Sequence, residues 1–284
     1  MIGKIALIAI FVLLVWGNLV AGLKVGLACP DWPLCHGKIL PPFRWDIFFE
    51  FMHRVIGAAT SIILIILSYK RFRTYIGWAK LIPLVLVFLL IFQILLGGLV
   101  VLFKLPVDLT TFHFGNAILI FLLTLYMAFF DGIKRRTAFN FHGKGFPFFL
   151  LGFVVFLQAV LGAYVRHSES GLACPDFPTC LGYWVPPDLK GIVLNHFAHR
   201  VLGYLIFVIS AFILYLSYSS LEFKSVRRNS TFIFFLIVFQ ILLGVLVVYS
   251  RLNFGVTALH LSFALLILSI SFYTWFQQML PTRV

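Results

Sequence analysis

Four histidines are the residues of this sequence best suited to chemistry. His53, His113, His199 and His260 each lie inside a long apolar stretch, where an ionisable side chain is costly and usually functional. The first two lie at matching positions in their stretches, which puts both imidazoles about 8–9 Å below one surface at ~1.5 Å per residue. The other two repeat this arrangement. Because paired imidazoles on neighbouring helices can bind both axial positions of a haem iron, the sequence predicts two bis-histidine haem sites.

The helices that carry these histidines are predicted to span a membrane. Of the 284 residues, 62% are hydrophobic and 11% are charged, and the mean hydropathy is +1.07. Soluble domains are about half apolar and a quarter charged. At about 20 residues per span, the chain has room for eight spans and for no separate soluble domain. We place the spans at 4–22, 47–69, 79–103, 108–130, 146–165, 191–219, 231–249 and 254–279.

The net charge of +13 is explained by membrane topology, and no nucleic-acid partner is predicted. Thirteen Lys and Arg residues fall on one side of the predicted spans and seven on the other. The positive-inside rule then places both termini in the cytoplasm and the long loops 23–46 and 166–190 outside. The first apolar stretch lacks a small-residue cleavage site, so we expect a retained span.

The sequence contains an internal repeat at an offset near 145 residues. Four landmarks return in the same order, which indicates duplicated structural units. They are Cys29–Cys35 with Cys174–Cys180, His53-Arg54 with His199-Arg200, Gln93…Gly97 with Gln240…Gly244, and Asn18…Gly22 with Gln158…Gly162. The Gln-x-x-x-Gly pattern predicts close helix packing with an interhelical hydrogen bond. Each half has an even number of spans, which makes the repeat parallel.

The predicted fold class is therefore an all-α integral membrane protein with eight transmembrane helices. These helices form two pseudo-two-fold-related four-helix bundles, residues 1–140 and 141–284. Each bundle contains one of the two predicted haem sites.

The halves differ beside the first histidine of each pair. Glu50 precedes His53 by three residues, on the same helix face, and the counterpart before His199 is His196. A carboxylate beside only one haem predicts that one haem is a substrate and the other a permanent cofactor. The alternative is that Glu50 simply pairs with Arg54 or a loop cation. His196 is expected to make a hydrogen bond or cap its helix and not to bind iron.

Arg54 and Arg200 directly follow the first histidine of each pair. A guanidinium near the rim of a haem pocket can bind a propionate, because its fork matches a carboxylate. The alternative is that both arginines extend to the membrane interface. The residues alone leave both interpretations open.

All four cysteines lie in the two long loops, as Cys29 with Cys35 and Cys174 with Cys180. Disulfides persist on the oxidising side of a membrane, and each Cys-x5-Cys segment is short enough to close as one. Two functions stay open. Each pair is either a structural staple that holds its loop over the haem or a redox-active group.

Taken together, these residues resemble the haem A synthase family (CtaA/Cox15). The resemblance covers nearly the whole chain. It rests on the internal repeat, the cysteine loops, Glu50-x-x-His53-Arg54, His113, His199-Arg200 and His260. It implies an enzyme of a bacterial-type cell membrane that oxidises the C8 methyl group of haem O to a formyl group, through a hydroxymethyl intermediate. The product, haem A, supplies cytochrome oxidase.

The resemblance also assigns the two sites. It implies that His53 and His113 hold haem O as substrate and that Glu50 is catalytic. It implies that His199 and His260 hold haem b as cofactor. Haem O synthase is the partner that the family suggests, whereas the electron acceptor stays unknown and a homo-oligomer is compatible with the sequence.

Two other classes of function are left open by the residues themselves. A di-haem b-type electron carrier to quinone would explain the four histidines but not Glu50. A thiol oxidoreductase on the outer side would explain the four cysteines but would leave the histidines without a role.

Overall fold

The structure is a computed structural model that describes residues 1–130 and 141–278. The regular secondary structure of these residues is helical, apart from two isolated β-bridges in the cysteine loops. Eight helices account for most of it. They are α1 Ile2–Gly22, α2 Trp45–Thr74, α3 Leu81–Leu102, α4 Val107–Phe129, α5 Phe146–His167, α6 Gly191–Ser219, α7 Arg227–Tyr249 and α8 Phe254–Gln278.

All eight helices are long and apolar enough to cross a membrane, which confirms the predicted all-α membrane class. The largest differences from the predicted spans are at the end of α2 and the start of α7. α2 continues through Lys70, Arg71 and Arg73 to Thr74, because Lys and Arg are good helix formers and favour helix C-termini. A 3-10 turn, Glu222–Val226, leads into α7 at Arg227. The basic residues Lys134, Arg135, Arg136 and Arg283 used in the topology prediction lie outside the described residues.

The chain divides into two compact units, Met1–Thr137 and Ala138–Val284. In the first unit, α1 packs against α2 and α4, and α3 packs against the same two helices. In the second unit, α5 packs against α6 and α8, and α7 packs against the same two helices. Each unit is thus a closed ring of four helices. The predicted two-fold relation between the two bundles stays a prediction.

Small residues allow the helices within each unit to approach closely. A methyl group added to Gly3 of α1 would lie 2.7 Å from the Cα of Ala128 of α4. In the second unit, a methyl group on Gly152 of α5 would lie 2.8 Å from the ring of Phe272 of α8. Close backbone approach at small residues stabilises helix association in membranes, where lipid is as apolar as the side chains.

The cysteine loop of the first unit is held in a tight turn by Asp31. Its carboxylate accepts hydrogen bonds from the backbone N–H groups of His36 and Gly37, at 2.6 and 2.7 Å. Both of these residues adopt the left-handed backbone conformation. The hydrogen bond from the backbone N–H of Gly37 is the main reason why the pKa of Asp31 is lowered. The disulfide Cys29–Cys35 closes the turn.

The loop of the second unit repeats this turn with Asp176. Its carboxylate accepts from the backbone N–H groups of Leu181 and Gly182, at 2.7 and 2.9 Å, and from the hydroxyl of Thr179. The Thr179 hydroxyl is the main cause that lowers the pKa of Asp176 to about 2. The disulfide Cys174–Cys180 closes this turn as well.

Candidate functional site

Each of the four histidines packs against a glycine of the preceding helix. A methyl group added to that glycine would lie 3.0 to 3.3 Å from the Cε1 of the imidazole, which is tighter than ordinary packing. The pairs are Gly17 with His53, Gly97 with His113, Gly162 with His199, and Gly244 with His260. All four histidines are half-buried. The glycines therefore form cradles that set the position of each imidazole within its helix pair.

At α1, the structure aligns the two halves of the repeat differently from the alignment predicted from the sequence. Gly17, and not Gly22, stands where Gly162 stands, because each faces the first histidine of its unit. The position of Gln158 is then taken by Leu13. Consistent with this, methyl groups on Gly57 of α2 and Gly203 of α6 would lie 3.9 Å from Leu13 and 3.5 Å from Gln158, respectively. The match of Asn18 to Gln158 was wrong.

A glutamine holds the second histidine of the first unit. The Nε2 of Gln93 on α3 lies 3.2 Å from the Nε2 of His113 on α4. Asn116 donates to the Oε1 of Gln93 at 2.7 Å and to the carbonyl of Leu89 at 3.0 Å. Because Asn116 fixes the amide orientation, Gln93 is the donor and the Nε2 of His113 is the acceptor. Gln93 and Asn116 thus fix the orientation of the His113 imidazole between α3 and α4.

The second unit uses glutamines differently. Gln158 on α5 donates to the backbone carbonyl of His199 at 2.9 Å, and its Nε2 also lies 3.3 Å from the Nε2 of that histidine. Gln240 on α7 donates to the backbone carbonyl of His260 at 3.0 Å. The interhelical hydrogen bonds predicted from the Gln-x-x-x-Gly pattern are confirmed, and their partners are the histidines.

The imidazoles fit a ligand that the protein itself does not supply. The Nδ1 atoms of His53, His199 and His260 are buried and have no hydrogen-bond partner among the described residues. Such atoms are rare in folded proteins and typical of sites that a ligand completes. Neutral imidazoles in pairs are suitable axial ligands for haem iron.

Arg54 connects Glu50 to the cysteine loop. Its Nε donates to the Oε1 of Glu50 at 3.0 Å, within one turn of α2. Its Nη1 donates to the carbonyls of Asp31 and Leu34 at 2.8 and 2.7 Å, and its Nη2 donates to the carbonyl of Cys29 at 2.9 Å. Glu50 is only 5% exposed. The alternative that Glu50 pairs with Arg54 is therefore observed, and contact of this arginine with a propionate stays a prediction.

Arg200 makes the same connection in the second unit, with His196 in the place of Glu50. Its Nε lies 3.3 Å from the Nε2 of His196. Its guanidinium donates to the carbonyls of Asp176, Thr179 and Cys174 at 2.5 to 2.6 Å. The Nδ1 of His196 lies 3.3 Å from the backbone nitrogen of Cys174. A neutral imidazole can accept only one of these two hydrogen bonds. His196 therefore lies against the loop and Arg200 in the place that Glu50 occupies in the first unit.

The cysteines of both loops form disulfides that are shielded from solvent. Cys29, Cys35, Cys174 and Cys180 are all 2% exposed or less. Thiol–disulfide exchange requires access to a sulfur atom. The arrangement favours the structural staple over the redox-active pair.

Two residues of the site were missed in the sequence. Trp32 of the first loop lies against Gly98 of α3, where an added methyl group would meet its ring at 2.9 Å. Asn116 completes the Gln93 network. Trp32 lies within the repeated cysteine segment, where its counterpart is Phe177, and the counterpart of Asn116 is Phe263, so the repeat preserves neither residue. A polar residue three positions after His113 in an apolar span was the available signal for Asn116.

These features define a class of integral membrane proteins built from two four-helix units, each with two glycine-packed histidines and one disulfide-closed loop. Within that class, the chain matches the family model of COX15-CtaA, described as cytochrome oxidase assembly protein, over residues 2–272. The chain belongs to this family.

Curated relatives are similar to this chain over most of their own length. A protein named "Heme A synthase" from Bacillus licheniformis is 30% identical over 277 residues, covering 92% of this chain and 90% of the relative. Its namesake from Alkalihalophilus pseudofirmus is 30% identical over 94% of this chain and 93% of the relative. A third protein of the same name, from Halalkalibacterium halodurans, is 34% identical over 73% of this chain and 72% of the relative.

Proposed function

We propose that this protein is a haem A synthase that oxidises the C8 methyl group of haem O to a formyl group through a hydroxymethyl intermediate. The family and the relatives named "Heme A synthase" support an enzyme that acts on haem. The observation that carries the proposal is the buried Glu50–Arg54 pair on α2, one helical turn from His53. Its counterpart in the second unit has no carboxylate.

The two units then have different tasks. His53 and His113 are the proposed ligands of haem O, the substrate, in the unit that contains Glu50. His199 and His260 are the proposed ligands of haem b, the resident cofactor. The resident haem supplies a site for electron transfer when bound. Gln158 and Gln240 support this assignment, because both brace the backbone at the histidines of that unit.

Glu50 is suited to stabilise charge and accept a proton during the oxidation. With water as the oxygen source, oxidation of the methyl group to the hydroxymethyl group consumes one water and releases two electrons and two protons. Oxidation of the hydroxymethyl group to the formyl group releases two more electrons and two more protons. An electron acceptor, whose identity stays unknown, must take the electrons, and positive charge and protons have to be accommodated near the carbon. The Oε1 of Glu50 is bound to Arg54, and its Oε2 has no hydrogen bond to the described residues. A carboxylate held in a low-dielectric site is effective both in electrostatic stabilisation and as a base.

Arg54 positions Glu50. The guanidinium is anchored by three loop carbonyls, and it supplies the countercharge that a buried carboxylate needs. The disulfide of the loop keeps those carbonyls together. The loop, Arg54 and Glu50 therefore form one connected support for the reacting side of the substrate.

The proposal extends to location and partners. The protein lies in a bacterial-type cell membrane, with both termini cytoplasmic and the cysteine loops outside, as the distribution of Lys and Arg predicts. Haem O synthase is the proposed source of substrate. A thiol oxidoreductase is disfavoured because the four sulfur atoms are shielded, and a simple electron carrier has no use for Glu50.

The decisive experiment is Glu50→Gln, with His196→Gln as the matched control. Both variants are co-expressed with a source of haem O, purified, and extracted for haem chromatography. Glu50→Gln keeps haem b and accumulates haem O or the hydroxymethyl form, with haem A reduced about 100-fold or more, the size of one general acid–base contribution. His196→Gln keeps producing haem A. Normal haem A from Glu50→Gln would refute the catalytic role, and haem b alone in the wild type would refute the synthase.

A further inference from the structure

The second unit contains a groove at the end opposite its cysteine loop, between the end of α6 and the start of α7. It has a volume of about 630 Å³. Three cations line it, Lys224, Arg227 and Arg228, together with the hydroxyl-bearing residues Tyr218 and Thr231. The residues that line the groove include no carboxylate. The groove is thus a concentration of positive charge and hydrogen-bond donors at a helix end near the membrane surface.

One of these cations is fixed by the protein. The Nε of Arg227 donates to the carbonyl of Ser217 at 2.9 Å, and its guanidinium lies over the ring of Tyr218 at 4.5 Å. The Tyr218 hydroxyl lies 3.3 Å from that of Thr231. Arg227 is therefore preorganised, and its two Nη groups have no hydrogen bond to the described residues. A planar guanidinium held in this way is suited to bind the oxygens of a phosphate.

The groove also has an apolar part. Phe232 and Phe235 line it and are 52% and 62% exposed. Phe235 follows Arg228 and Thr231 at spacings that place all three on one face of α7. The face runs from a cation at the start of the helix to an aromatic ring farther along the span. This sequence of polar and apolar groups matches an amphiphile with a phosphate head and an acyl chain.

The first unit repeats this arrangement only in part. At the offset of 147 residues that relates Gln93 to Gln240, the counterparts of Arg227, Arg228 and Thr231 are Lys80, Leu81 and Leu84. Lys80 lies over the ring of Phe72 at 5.2 Å, as Arg227 lies over Tyr218, but the positions of Arg228 and Thr231 are apolar in the first unit. General attraction of basic helix ends to the membrane would affect both units. Arg228 and Thr231 have no polar counterpart in the first unit, so this face of α7 calls for a more specific explanation.

We propose that this groove binds the phosphate headgroup of an anionic phospholipid, with Lys224, Arg227 and Arg228 as phosphate ligands. Phe232 and Phe235 contact the acyl chains. The proposal does not depend on the reaction that the protein catalyses. Basic pockets between transmembrane helices are established sites for anionic headgroups in other membrane proteins.

The test compares lipid binding by native mass spectrometry of the full chain in detergent. The probes are dioleoyl phosphatidylglycerol and dioleoyl phosphatidylcholine, which share their acyl chains. The test variant is Lys224→Gln/Arg228→Gln, which leaves the structural Arg227 in place. The control variant is Arg73→Gln/Lys80→Gln, which removes the same charge from exposed positions of the first unit.

The wild type and the control variant should retain phosphatidylglycerol in preference to phosphatidylcholine. The test variant should lose affinity for phosphatidylglycerol by about fivefold per cation removed, the size of one Lys or Arg attraction near an anionic surface. Equal binding by the test variant, or an equal loss in the control, would overturn the proposal. Displacement of the lipid by inorganic phosphate at millimolar concentration would overturn it in favour of a site for a free anion.

Thermal unfolding without added lipid separates binding from folding. Both double variants should keep the unfolding midpoint of the wild type, because the altered side chains are exposed. If the test variant unfolds early, the single variants Lys224→Gln and Arg228→Gln replace it. Each single variant should show part of the loss, and full lipid binding by both would equally overturn the proposal.

Discussion

The two units use one architecture around different side chains. In both, an arginine on the second helix donates to three loop carbonyls and directs its Nε to a residue one turn earlier. That residue is Glu50 in the first unit and His196 in the second. The arginine thus has an anionic partner in one unit and a neutral one in the other. The loop and arginine are scaffold, and a single position on that scaffold distinguishes a proposed reaction site from a proposed cofactor site.

The surroundings of the first histidine of each unit, His53 and His199, also differ. His199 is braced by Gln158, whereas the matching position near His53 is the apolar Leu13. A histidine with hydrogen bonds to its surroundings is suited to hold a permanent ligand, because outer contacts orient the imidazole. A histidine among apolar groups binds with fewer constraints. We infer that His199 is suited to retention of a haem and His53 to exchange, whereas His113 of the first unit is held by Gln93.

The strongest test of the difference between the two units is to replace one histidine of each unit by alanine. His199→Ala should abolish retention of haem b. His53→Ala should keep haem b but retain neither haem O nor haem A. Each change should therefore remove one kind of haem, which pyridine haemochrome spectra and chromatography of extracted haem would measure. Loss of the same haem from both variants would mean that the units are not specialised.

Replacing each clamping arginine by lysine should have unequal effects. Lysine carries one ammonium group and cannot reach all four acceptors of the guanidinium, and each lost hydrogen bond costs about 1 kcal/mol. Arg54→Lys should lower kcat about tenfold, with the KM for haem O nearly unchanged, because Glu50 is displaced. Arg200→Lys should instead lower the thermal unfolding midpoint and leave kcat close to that of the wild type. Equal losses of kcat would mean that the contact with Glu50 does not distinguish Arg54 from Arg200.

The glycine cradles give a graded test within the second unit. A methyl group would lie 3.0 Å from His199 at Gly162 but 3.3 Å from His260 at Gly244. Overpacking of this kind costs about 1–3 kcal/mol, and the tighter contact should cost more. Gly162→Ala should therefore reduce haem b content more than Gly244→Ala, as measured by absorbance per chain. The reverse order would show that the cradles do not set the imidazole positions.

The smallest effect expected is that of pH on the two loops, which should behave alike. The pKa of Asp176 is lowered to about 2 from 3.8, chiefly by the Thr179 hydroxyl, and that of Asp31 is lowered chiefly by the backbone N–H of Gly37. Because a lowered pKa stabilises the fold above the ordinary value, this stabilisation is lost only as the pH falls below about 4. Hydrogen exchange at Gly37 and Gly182, corrected for intrinsic rates, should show constant protection at higher pH. A loss of protection near neutral pH in one loop would show that the two cysteine loops do not respond alike to pH.

Much of this arrangement could be predicted from residue patterns. Apolar length predicted eight helices, because a membrane span requires an uninterrupted run of such residues. The repeat predicted two similar units, and the matching positions of the four histidines predicted two sites. The cysteine spacing predicted both disulfides. Each of these features depends on local sequence or on the period of the helix.

Other features depended on which side chains meet across helices. The Gly17 cradle could not be distinguished from Gly22 in the sequence, because both are small residues in an apolar helix. The three carbonyl partners of Arg54 are 20 to 25 residues away in the chain, and only the folded loop brings them together. Helix composition determined by itself that this protein spans a membrane, and the repeat determined that its four histidines lie at matching positions. Tertiary packing decided what each polar side chain binds, because hydrogen bonds depend on distance and direction that residue spacing does not contain.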